Sequence, residues 1–189
     1  MVTVILVAIC IFNSKINVLS IISTHIKTYR NYVTKRISMW DIISFILAPI
    51  GVSYILAIVY DCKISADATY VNVILTVLSI FAALLFNFLM MIIQLKETKK
   101  VFSVHEKDLT QRQKDYIHTV KETYYNVSFE ILVSIVTIII ILISIIVDPS
   151  SSIALNIINV ILWFLIIMFF MNLCMILKRI FILYDINEI

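Results

Sequence analysis

Four long apolar runs, over residues 42–60, 71–95, 129–147 and 153–177, leave this chain few ways to fold. Crossing a hydrocarbon core of roughly 30 Å takes about 20 consecutive apolar helical residues, and each run meets that length. None shows strand-like alternation, which favours helices over a transmembrane barrel. The chain is 62% hydrophobic and only 14% charged, too apolar for a soluble domain of 189 residues. The expected class is therefore an all-α integral membrane protein, with four transmembrane helices as two tandem hairpins and a long cytoplasmic helical extension between spans two and three.

The charges orient it. Of fifteen Lys and Arg residues, placing both termini inside leaves only Lys63 on the outer side, with Asp61, Asp67 and Asp148 beside it. Seven cations gather in residues 96–128, five precede the first span, and Lys178 and Arg179 follow the last. Cations concentrate on cytoplasmic loops, so the reading is a multi-pass membrane protein with cytoplasmic N- and C-termini. Its expected organisation is 1–41, an N-terminal apolar segment and basic interfacial helix; 42–95, the first hairpin; 96–128, a cytoplasmic helical stalk; 129–177, the second hairpin; and 178–189, a cytoplasmic tail.

Within 1–41, residues 2–12 are apolar but too few to cross a bilayer, and no cationic segment or small-residue cleavage site marks them as a secretory signal. An interfacial segment is one reading; a fifth, broken span reaching Ile22, which would move the N-terminus outside, is the other. Leu19, Ile22, Ile26, Tyr29, Val33 and Ile37 then recur at helical spacing with Lys27, Arg30 and Lys35 off the stripe. Such a helix either lies among inner headgroups or packs on the protein's own helices.

The hairpins resemble each other loosely. Asp61 and Asn72 are eleven residues apart, as are Asp148 and Asn159, and each returning helix carries an Asn, at 87 or 172. A tandem duplication and chance similarity in an Ile-, Asn- and Leu-rich chain both account for this. Between the hairpins, Ser103 and Glu106 have capping-box spacing, which predicts a helix starting near Val104. No Gly or Pro interrupts 104–147, so the third span should run inward as one rod of roughly 65 Å. Its stripe Leu109, Tyr116, Val120, Tyr124 and Val127 must pack on another helix, a second copy or a separate protein.

Enzymatic motifs are absent. One glycine, Gly51, excludes phosphate-cradling loops, and no nucleophile-elbow, zinc-protease or Cys-x-x-Cys spacing occurs. No catalytic, cofactor-binding or metal residue is assigned, and no cofactor is expected. His25, His105 and His118 read as solvated or interfacial. The three cysteines read as small apolar residues rather than a disulfide framework. Asp41 and Glu130 fall at inner span ends where water should reach them, which argues against ion-coupled transport. The uncharged polar set, Asn87, Gln94, Ser134, Thr137, Ser144, Asn156, Asn159 and Asn172, suits hydrogen bonds between helices, at about 0.6–2 kcal/mol each; lining an aqueous pathway is the alternative. Asn87, Asn156, Asn159 and Asn172 are the candidate intramembrane contacts. Pro49 and Gly51 predict a kink in the first span, a candidate hinge or a packing adjustment.

Two tandem hairpins, inner termini, a basic interfacial N-terminal helix and a charged inner helix resemble the membrane subunit of the Kiwa antiphage defence system of bacteria. The resemblance covers nearly the whole chain and is architectural. It implies a homo-oligomer, a tetramer, that senses phage infection at the inner membrane and works with a cytoplasmic DNA-binding effector, without binding nucleic acid itself. The oligomer and partner contacts expected on the stalk are Leu109, Tyr116, Val120 and Tyr124 with Lys107, Arg112 and Lys114. A second resemblance, to two-helix effectors that form pores in nucleotide-signalled defence, supports the alternative function: a pore-forming or holin-like protein that depolarises the membrane.

Overall fold

A computed structural model describes residues 18–28, 43–60, 64, 68–98, 109–147 and 152–187. The described residues fold into five helical elements: α1 (Val18–Thr28), α2 (Ile43–Val59), α3 (Ala68–Thr98), α4 (Gln111–Val147) and α5 (Ser152–Asn187). Of these, α3, α4 and α5 are long and apolar enough to cross a membrane, while α2 is a shorter apolar helix. With 31, 37 and 36 residues, the three long helices reach about 46, 56 and 54 Å at 1.5 Å per residue.

α4 is central. It packs against α3, α5 and α1, and 44% of its apolar stretch is buried, against 17% in α3 and 28% in α5. The reason is a heptad-spaced seam: Tyr116, Val120, Thr123, Val127, Glu130, Ser134, Thr137, Ile141 and Ser144 follow alternating steps of four and three, and all are buried. That spacing keeps one line of side chains facing neighbouring helices. α3 answers with Val71, Leu78, Leu85 and Ile92, buried at intervals of seven, and α5 with Asn159, Leu162, Ile166, Phe169, Asn172 and Ile176. Phe81 of α3 meets Phe169 and Phe170 edge-on, with ring centroids 5.8 and 6.4 Å away.

Much of the seam is small and polar. Lipid tails are as apolar as leucine, so membrane helices associate through close packing of small residues rather than hydrophobic burial. The hydroxyls of Thr123, Ser134, Thr137 and Ser144 donate to carbonyl oxygens three or four residues back, at 2.7–2.8 Å. Asn159 Nδ2 likewise donates to the Leu155 carbonyl at 3.0 Å. The expected interhelical role of Ser134, Thr137 and Ser144 is thus corrected: their bonds run within α4, and what they contribute between helices is small size.

α2 is built differently. An α-helical stretch, Ala48–Tyr54, lies between two π-helical turns, Ile43–Leu47 and Ile55–Val59. Pro49 follows closely on the π-helical turn Ile43–Leu47, so the ring that removes one helical hydrogen bond coincides with a change in the helical pattern. The departures from regular α-helix are the two flanking π-helical turns. Pro49, Ser53 and Ala57 form the buried edge of α2, a line of compact side chains four residues apart. This edge packs on α5, not on α3, its neighbour in sequence. Among the described residues the close pairs of long helices are α3 with α4 and α4 with α5.

The start of α4 corrects another expectation. Leu109 and Thr110 are not helical, and the helix begins at Gln111, so the rod is shorter at its inner end than a start at Val104 implies. Its capping box is Thr110 with Gln113: the Thr110 amide donates to Gln113 Oε1 at 2.9 Å, and the Gln113 amide approaches Thr110 Oγ1 at 3.4 Å. Ser103 and Glu106 lie outside the described residues, as do Asp41, Lys107, His105, Cys10, Cys62, Asp61, Asp148 and residues 2–12.

Candidate functional site

The C-terminal parts of α1 and α5 and the N-terminal half of α4 bring together polar side chains that are far apart in sequence. Glu122, Asn126 and Glu130 lie four residues apart on α4, one above another. From α5, Arg179 forms a charged hydrogen bond and ion pair with Glu122. Asn172, seven positions earlier, lies beside Glu130. The two helices therefore keep one antiparallel register through the cluster. His118 stands 3.6 Å from the other Glu122 oxygen, one helical turn away.

α1 closes the cluster. Its His25 is 1% exposed, with the ring stacked on Phe129 at a centroid distance of 3.8 Å and an interplanar angle of 7°. The His25 Nδ1–H donates to Asn126 Oδ1 at 3.0 Å. The Thr28 hydroxyl lies 2.7 Å from the His25 carbonyl and 3.0 Å from Asn126 Oδ1, so its single proton is shared between two acceptors. Burial holds the His25 imidazole down to a pKa of about 4; the Asn126 bond offsets part of this, and the Arg179 charge adds to it. His25 is neutral at pH 7. The expectation of a solvated or interfacial histidine is overturned here by packing.

Glu130 is the second correction. Placed by sequence at a watered helix end, it is fully buried. Its two carboxyl oxygens, both polar side-chain atoms of Asn172 and the Asn126 amide nitrogen are enclosed together, with Asn172 adjacent to Glu130. So many buried polar atoms at one level of a bundle mark a candidate functional site.

A groove of about 420 Å³ opens beside the cluster, between α5 and the facing ends of α1, α2 and α4. Phe45, Met171, Met175 and Ile182 form its apolar lining, and Thr28, Thr119, Glu122, Lys178 and Arg179 its polar one. Cys174, a free and exposed thiol, completes the α5 wall.

The residues singled out from sequence scatter. On α4, Tyr116 and Val120 are buried in the seam, Leu109 and Lys114 are half-buried, and Arg112 is exposed. Tyr124 leaves the stripe: the seam continues through Thr123, and Tyr124 is exposed, edge-on to Tyr125 at 5.7 Å. Asn159 and Asn172 are buried, Asn156 is half-buried and Asn87 is exposed. Asn72 is also exposed, so the asparagines that match in the loose repeat occupy unlike environments. Pro49 is buried and Gly51 exposed. Sequence reasoning missed His25, Glu122, Asn126, Glu130 and Arg179 as a group. The available signal was register: Glu130 falls on the same heptad line as Tyr116, Val120 and Val127.

The fold and site define a class: an all-helical protein with three helices long and apolar enough for a membrane and a buried polar cluster at one end. Beyond that class, comparison of the chain with protein-family models, curated proteins and solved structures finds no match.

Proposed function

We propose that this chain is a non-enzymatic, homo-oligomeric sensor or scaffold of the bacterial inner membrane, with four spans and cytoplasmic termini, whose inner helical bundle recruits a soluble effector. The observation that carries this is the excess length of α3, α4 and α5. Each outlasts a hydrocarbon core of roughly 30 Å, and the Glu122–Arg179 pair ties the inner extensions of α4 and α5 together. α2 serves as the remaining span: its described helix reaches about 25 Å, a shortfall that local thinning of the bilayer accommodates. Tyr54 and Tyr60, both exposed, suit anchoring at interfaces.

On the charged half of α4, Arg112 is exposed near the start of the helix, and on the opposite side Lys121, Tyr124 and Tyr125 are exposed on one face. Aromatic and Arg side chains are over-represented where proteins meet, and this face supports docking of an effector, with oligomer contacts on the lipid-facing sides of α2 and α3. This agrees with the resemblance to the Kiwa membrane subunit, which implies four copies and a cytoplasmic DNA-binding partner. Charge reversal by Arg112→Glu with Lys121→Glu should leave insertion and oligomer size intact and abolish co-purification of the soluble protein that the unaltered chain retains from its source cells. Undiminished co-purification would end this reading. Loss of membrane potential on expression of this chain alone, followed with a potential-sensitive dye, would instead favour the pore-forming alternative.

A further inference from the structure

We infer that the groove beside α5 is a binding site for one anionic phospholipid. This rests on the membrane reading but not on the scaffold role. The groove is amphiphilic along its length: Phe45, Met171, Met175 and Ile182 offer an apolar floor, and Lys178 stands at the polar side. Methionine side chains are flexible and polarizable and mould themselves to an irregular chain.

Charge complementarity selects the headgroup. Arg179 is engaged by Glu122, so those two charges offset each other and Lys178 leaves the lining with one net positive charge. Exposed Lys27, next to the lining residue Thr28, adds a second cation at the same level. Basic pockets between membrane helices on the cytoplasmic side are suited to acidic lipid headgroups. α1 points the same way: His25 fastens one face to α4, whereas Leu19 and Ile26 remain 52% and 53% exposed, an apolar face available to lipid. A phosphate on Lys178 with its acyl chain along Met171 and Met175 fits both halves of the groove.

The test uses the full chain, purified in detergent and titrated with phosphatidylglycerol, phosphatidylcholine or inorganic phosphate, with bound lipid counted by native mass spectrometry. One phosphatidylglycerol should bind in preference to phosphatidylcholine, and Lys178→Ala should reduce that preference about fivefold. Met175→Trp, which fills the floor and leaves the charges, should weaken both lipids. Equal binding of the two lipids, displacement by inorganic phosphate alone, or no effect of Lys178→Ala in a protein with unaltered melting would overturn the inference. A chain that fails to fractionate with membranes would instead defeat the membrane reading beneath it.

Discussion

At the scale of single residues, the inner cluster concentrates cost and therefore information. His25 exchanges hydration for a stacked ring, Phe129, and a hydrogen bond to Asn126. Its folded-state pKa of about 4 lies below the usual 6.5. As pH falls through 6.5 the unfolded chain takes up a proton that the folded chain refuses until about 4, so stability is full above 6.5 and is lost across that window. The linkage amounts to on the order of 3 kcal/mol. Stability against unfolding in detergent should therefore fall steadily from pH 7 to pH 4, and His25→Gln, which retains a donor for Asn126 without titrating, should flatten that part of the profile. An unchanged slope in the variant would assign the effect to another group.

At the scale of elements, the same apolar composition yields two kinds of helix. α4 is held by a heptad seam whose hydroxyls bond their own backbone, which lets its neighbours approach closely. α2 presents one compact edge, Pro49, Ser53 and Ala57, and packs on α5. Gly51 is off that edge, and a methyl group added there would meet nothing within 4 Å. Gly51→Ala should thus stabilise α2 by about 0.5–1 kcal/mol without disturbing effector recruitment, because the irregular backbone lies in the π-helical turns on either side. Thermal unfolding and co-purification measured together decide this. A more stable protein that no longer recruits would make Gly51 the hinge.

At the scale of the whole molecule, the Glu122–Arg179 pair links the N-terminal part of α4 to the C-terminal part of α5, and the two side chains are 22% and 13% exposed. Screening is incomplete at that depth, and removing one partner leaves a half-buried charge. Glu122→Gln or Arg179→Met alone should cost about 1–3 kcal/mol, with the double variant recovering part of the loss. A double-mutant cycle on unfolding in detergent measures the coupling. Additive costs would show that the extensions hold together without the pair.

Membrane class, the limits of α3 to within three residues, the start of α5 and the continuity of α4 over its apolar run were legible in the sequence, because length and apolarity alone determine whether a helix can span; the expected tail was not, since α5 continues to Asn187, past the apolar run that ends at residue 177. The charge distribution likewise set the expected orientation. The inner faces were legible only in part. In water an apolar stripe announces the buried side of a helix. In lipid both sides are apolar, so periodicity among Ile, Leu and Phe no longer separates the core from the surface. That is why Thr123 rather than Tyr124 continues the seam, why Glu130 and His25 are enclosed, and why α2 packs on α5 instead of its sequence neighbour. Those choices rest on which small and polar groups can approach closely across helices, a property of helix pairs that only the tertiary structure decided.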